Sequence, residues 1–117
     1  MRDDLRDFLM DITRYAENVK RLVSINTLAE LSEEFSSDGL ALERCMEVIG
    51  EAVKHIPQNV RDQYPEVPWK KIAGLRDVLI HRYWSAQMAR LVDIVENYLP
   101  GLEQVVNKIL KDLNPAQ

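Results

Sequence analysis

The chain has little that breaks a helix and almost nothing that cross-links a fold. Only four glycines and five prolines punctuate 117 residues. These are the residues that cost most inside a helix, so their scarcity leaves room for long ones. A single cysteine, Cys45, excludes an internal disulfide framework. It lies in an apolar stretch without the partners of a zinc site and reads as a buried thiol. No apolar run approaches the ~20 residues of a membrane span. The N-terminal Met1-Arg2-Asp3-Asp4 is acidic and lacks a signal peptide's apolar centre. The expectation is a cytoplasmic protein with no membrane attachment. No segment alternates with period two and no repeat is visible, so a sheet is not expected.

What is present suits one helical domain over residues 1–117, with residues 114–117 as a frayed tail. Hydrophobic residues make up 46% of the chain, a globular proportion. The net charge is −4, which argues against indiscriminate coating of nucleic acid. The charge is uneven, however. Residues 61–90 carry Arg61, Lys70, Lys71, Arg76, Arg82 and Arg90 against Asp62, Glu66 and Asp77, a local +3 that leaves −7 for the rest. A small basic patch on an acidic body can hold a short stretch of RNA or an acidic partner. A plain mixture of solvated charges is the competing reading.

Periodicity predicts four main helices. The first carries Leu5, Phe8, Leu9, Ile12, Ala16, Val19, Leu22 and Val23 on one face and ends near 24–26, with Asp3 or Asp4 as its cap. Thr27-Leu28-Ala29-Glu30 has the capping-box pattern of a short helix. Ser36-Ser37-Asp38-Gly39 reads as a loop and a new cap. The second long helix runs from about Asp38 to His55, burying Ala41, Cys45, Val48, Ile49, Ala52 and Val53. Its Glu43, Glu47 and Glu51 form a stripe expected to face solvent, and His55 at its end is expected to be structural or exposed. After a proline-containing connector with a possible single helical turn, Pro68 opens a third helix that ends near 83–85. Trp69 is its packing anchor. A last helix spans about 86–113 and must be kinked or interrupted at Pro100-Gly101. The fold class is an all-α bundle.

The segment Arg76-Asp77-Val78-Leu79-Ile80-His81-Arg82-Tyr83 carries the chemistry. Imidazole moves protons near neutral pH, and guanidinium grips phosphate through paired hydrogen bonds. His81 would serve as general acid or base at a ribose 2′-hydroxyl or a leaving oxygen. Arg76 would stabilise charge on the phosphoryl oxygens. Asp77, four residues before His81, would orient the ring and raise its pKa. Attack by the neighbouring 2′-hydroxyl selects RNA over DNA and requires neither metal nor cofactor. Tyr83 and Trp84 offer faces for a base, and Lys70 and Lys71 add phosphate-binding charge. Five residues turn an ideal helix by ~500°, which leaves Arg76 and His81 on different faces. They converge if the helix ends or distorts before His81, or if two copies meet across a two-fold axis. The second arrangement makes the protein a homodimer with its groove on that axis. An Arg and a His also meet by chance in many bundles, so a purely structural ion pair remains the bland alternative.

At these residues the chain resembles the HepT-like ribonuclease toxins, also known as DUF86, of the HEPN superfamily. Arg76, His81 and Tyr83 match the family's Arg-x4-His-x-Tyr motif, and Asp77 fits the polar residue that follows its arginine. Similar text continues in Ala41-Leu42-Glu43-Arg44, Ile49-Gly50-Glu51-Ala52, Tyr64-Pro65-Glu66-Val67-Pro68-Trp69, Ile72-Ala73-Gly74-Leu75 and Tyr98-Leu99-Pro100. The resemblance covers roughly residues 3–112. It implies an all-α homodimer that cleaves RNA without metal as the toxin of a toxin–antitoxin pair. It also implies a partner, a minimal nucleotidyltransferase antitoxin of the MntA type, which places AMP on the motif tyrosine, here Tyr83. Arg82 stands at an unspecified motif position and would strengthen RNA or adenylate binding. Glu51 and Gly74 lie in family-like text without a matched catalytic role; Gly74 is expected to permit close helix packing and Glu51 to be structural. The rival within the superfamily is a non-catalytic module that binds RNA or nucleotide, or acts as a scaffold.

Overall fold

The computed structural model describes residues 4–75 and 84–113. Over these residues the chain is helical, with no strand. The elements are α1 (Asp4–Ile25), α2 (Leu28–Ser32), α3 (Ser37–Lys54), α4 (Gln58–Arg61), α5 (Trp69–Ala73), α6 (Trp84–Asn97) and α7 (Leu99–Leu113). Four are long, as expected, but not the four the periodicity suggested. The expected last helix is two, α6 and α7, parted at Tyr98. Pro100 has no N–H to give to the preceding turn, so the chain restarts its helix at Leu99, where a missing donor costs nothing. The ladder is nearly continuous even so, since Tyr98 N–H donates to Ile94 and Leu102 N–H to Tyr98.

The third expected helix is also revised. Pro68 caps α5 and is not its first residue, and α5 closes after five residues with Gly74 as its C-cap. Trp84 and Ser85, expected at the end of that helix, open α6. Whether helix continues through the expected span from Arg76 to Tyr83 lies outside the described residues.

Two of the predicted start signals hold, while the expected cap of α1 at Asp3 or Asp4 lies at the edge of the described residues. The capping box of α2 is complete: Glu30 N–H donates to Thr27 Oγ1, and Thr27 N–H donates to Glu30 Oε1 at 2.8 Å. Ser36 Oγ accepts from Gly39 N–H at the start of α3. Between these two helices Phe35 takes a left-handed φ of 66° and stands 82% exposed. Gln58–Arg61 is the single helical turn of the connector. Trp69 is buried, and its indole N–H donates to the Tyr64 carbonyl at 2.9 Å, which folds the proline-containing connector onto the bundle.

The core lies along α1 and α3. Leu9, Ile12, Ala16, Val19 and Leu22 of α1 are sealed from solvent against α3 and α7. Truncating one of these leucines to alanine typically costs about 2–5 kcal/mol. α3 buries a broader face than expected, adding Gly39, Leu42, Met46 and Gly50, whereas Ala41 and Val48 are only partly covered. Cys45 is buried and accepts a 3.4 Å contact from Asn18 Nδ2. His55 caps the end of α3, is exposed, and stacks on Phe8 with centroids 4.2 Å apart. Lys20 reaches Glu103 at 3.0 Å and ties α1 to α7, an interaction that raises the lysine's pKa.

Candidate active site

The predicted catalytic segment is held at both ends by one helix. Leu75, the residue before Arg76, is fully buried against α3. A Cβ placed at Gly50 would stand 3.0 Å from the Ile72 carbonyl oxygen and 3.4 Å from Leu75 Cβ, so the missing side chain at 50 lets α5 and Leu75 sit on the α3 backbone. At the other end Trp84, the residue after Tyr83, packs on Gly39. A Cβ there would overlap the Leu31 carbonyl oxygen and lie 3.1 Å from Trp84 Cζ2. Gly39 and Gly50 are eleven residues apart on α3, about 16 Å along its axis at the usual helical rise. The chain therefore leaves α3 at one fixed point and returns to it at another.

A polar contact reinforces the second anchor. Gln87, one turn into α6, is only 3% exposed and is the one buried polar side chain among the described residues. Its Nε2 donates to Glu43 Oε2 at 2.7 Å. Burial raises the Glu43 carboxyl pKa; the Gln87 hydrogen bond opposes that, and the negative charge of Glu47 adds to it. Glu43 thus departs from the solvated stripe expected of it. The other two acids are partly exposed and pair along their own helix, Glu47 with Arg44 at 2.9 Å and Glu51 with Lys54 at 3.2 Å.

Arg76, Asp77, His81, Arg82 and Tyr83 lie outside the described residues, so their mutual geometry is not part of the structure. Of the remaining predicted site residues, Lys70 and Lys71 are exposed on α5, on the approach to the segment. Lys71 Nζ donates to Tyr98 Oη at 3.2 Å and sits 4.7 Å from the centre of that ring. This cation–π contact gives the lysine a preferred position at the junction of α6 and α7. Trp84 is half-buried against the core rather than standing free, and its indole nitrogen is shut from solvent without a hydrogen-bond partner. Among the described residues no group of three or more His, Cys, Asp or Glu side chains comes together as a metal site. No helix there is long and apolar enough to cross a membrane.

Sequence reasoning missed the Glu43–Gln87 pair. Its partners are 44 residues apart, but half of the signal was present. Gln87 stands three residues after Trp84 and four before Leu91, squarely on the inward stripe of α6, where a polar residue needs a partner.

A model of the HepT-like family, described as "Ribonuclease HepT-like", matches residues 12–109, which include the whole Arg76–Tyr83 segment. The chain belongs to the HepT-like ribonuclease family. Similar chains span nearly its full length. Two Methanocaldococcus jannaschii proteins that carry provisional RNase names are 38% identical over 114 residues, covering 94% of both chains, and 41% identical over 113 residues, covering 94% of this chain and 90% of the other. A Thermococcus cleftensis protein named as a probable ribonuclease HepT is 32% identical over 114 residues, covering 95% of this chain and all of its own. No solved structure matches. Membership fits the helical architecture, and the family match runs through both glycine anchors on α3 as well as the motif between them.

Proposed function

We propose that the protein is a metal-independent endoribonuclease, the toxin of a toxin–antitoxin pair, and that it cuts RNA in a groove shared by two copies of the chain. The observation that carries this reading is the complete Arg76-x4-His81-x-Tyr83 motif inside the region that matches the HepT-like family. In the reaction, His81 withdraws the proton of a ribose 2′-hydroxyl, whose oxygen attacks the adjacent phosphorus. Arg76 neutralises the charge that builds on the phosphoryl oxygens. The bond to the 5′-oxygen breaks and that oxygen takes up a proton, leaving a 2′,3′-cyclic phosphate and a 5′-hydroxyl. Asp77 holds the imidazole in orientation, and Lys70, Lys71 and Arg82 bind the strand, whereas Trp84, packed against the core, is not free to stack on a base.

Control falls to a nucleotidyltransferase antitoxin of the MntA type. The Tyr83 hydroxyl attacks the α-phosphorus of ATP, an O–P bond forms, and pyrophosphate leaves. The resulting adenylate puts a phosphate two residues from His81. There it offers Arg76 an anion to grip and blocks RNA by bulk and charge.

Expression of the wild-type chain is expected to arrest growth, and His81→Ala to abolish the arrest. Purified wild-type protein should cut a mixed RNA in excess EDTA, leaving cyclic phosphate ends, while His81→Ala still binds it. Wild-type protein that binds RNA but never cuts it would instead favour a non-catalytic binding or scaffold module.

A further inference from the structure

We infer that Glu43 and Gln87 are positioning residues for the Arg76–Tyr83 segment, fixing the helical turn that follows it directly in the chain. The inference builds on the proposed nuclease function and names the device that aims its catalytic groups.

The starting point is a cost without an obvious structural return. Gln87 is 3% exposed, on the inward stripe of α6, among positions filled by Met88, Leu91, Ile94 and Val95. A methionine there would pack equally well and would not need to surrender water. Glu43 bears part of the cost too, since its carboxylate is partly desolvated to meet the amide. Replacing both partners of such a hydrogen bond by apolar groups of the same shape can be nearly neutral or stabilising, since only Gln87 is fully buried and neither group is then left unpaired. Such a pair does supply direction, because a 2.7 Å hydrogen bond fixes a register that apolar contacts leave free to slide.

The register it fixes is the relevant one. On α3, Gly39 and Glu43 are one turn apart; on α6, Trp84 and Gln87 are one turn apart. Gly39 receives Trp84 and Glu43 receives Gln87, so two consecutive rungs lock the first turn of α6 to α3. Tyr83 is the residue before that turn, and His81 lies two residues earlier. At the far end, Leu75 rests on Gly50. Loosening the Glu43 rung would let the first turn of α6 rotate or slide and carry Tyr83 and His81 with it. A displacement of about 1 Å at a reacting group can cost on the order of a hundredfold in rate.

The test separates positioning from bulk stability. Glu43→Met combined with Gln87→Met removes the hydrogen bond and keeps the volume. Its melting temperature is expected to match or exceed the wild type, while peptides covering residues 76–83 exchange backbone deuterium faster. RNA cleavage should fall about tenfold or more in kcat with little change in KM. Glu43→Gln combined with Gln87→Glu rebuilds the pair in reverse and should restore wild-type exchange and activity. The exchange measurement is made without RNA, so it stands apart from the nuclease reading. Faster exchange that the reversed pair corrects supports the inference even if no variant cuts RNA. Wild-type exchange across 76–83 in a folded double-methionine variant overturns it. Should that variant not fold, a reversed pair that folds but exchanges as fast as Gln87→Leu alone overturns it as well.

Discussion

An added methyl group meets opposite surroundings at residues 39 and 101. Both glycines lie in α-helices, where replacement by alanine gains up to about 1 kcal/mol in propensity. At Gly101 nothing stands within 4 Å of the new carbon, so the gain should be realised. At Gly39 the carbon overlaps the Leu31 backbone carbonyl and presses on Trp84. Backbone cannot swing aside as a flexible side chain does, and such overpacking costs about 1–3 kcal/mol. Urea unfolding should therefore show Gly101→Ala more stable than wild type and Gly39→Ala less stable by about 1–2 kcal/mol, after the propensity gain is set against the clash. Gly39→Ala should also impair RNA cleavage more than its stability loss explains, because it pushes on the residue that follows the motif.

At the scale of elements, α2 has five residues and cannot stand on its own propensity. It persists because Thr27 and Glu30 satisfy each other's free N–H groups and because Leu31 seals its inner face against the bundle. Thr27→Ala should cost about 1 kcal/mol. Thr27→Ala and Glu30→Ala together should cost less than the sum of the two, since they dismantle one reciprocal motif, and a double-mutant cycle in urea measures the shortfall. This element was readable in the sequence for the same reason that it is stable: its determinants lie within four residues of one another. The α1 stripe, the Ser36 cap and the Pro100 interruption were legible on the same ground. The buried face of α3 was less so. Leu42 and Met46 turn inward because α2, α5 and α6 all pack around that helix, and Glu43 is drawn from solvent by a side chain 44 positions away. Where α5 stops was obscure too, because Gly74 caps it in the middle of what reads as one periodic run. Of the candidate site, the motif was legible from its spacing, whereas the two places where α3 holds its ends depend on contacts made only after the chain folds.

For the whole molecule, the spacing of Arg76 and His81 leaves two ways of making a site, and the proposed dimer allows them to be told apart. If each site takes its arginine from one copy and its histidine from the other, a two-fold assembly contains two such sites. A heterodimer of an Arg76→Ala copy and an His81→Ala copy then has one site with both groups missing and one with both intact. Random assembly makes half of the dimers mixed, so coexpressing the two inactive variants should recover about a quarter of the wild-type activity. If the pair comes from a single copy, every site in the mixture lacks one group and no activity returns. The same experiment tests the dimer, because light scattering on the mixed sample must show two-chain particles wherever activity is recovered. Recovery from particles of one chain would contradict a shared groove. The absence of recovery from genuine mixed dimers would assign both catalytic groups to one chain, and the burden of bringing them together would then fall on the backbone between Leu75 and Trp84.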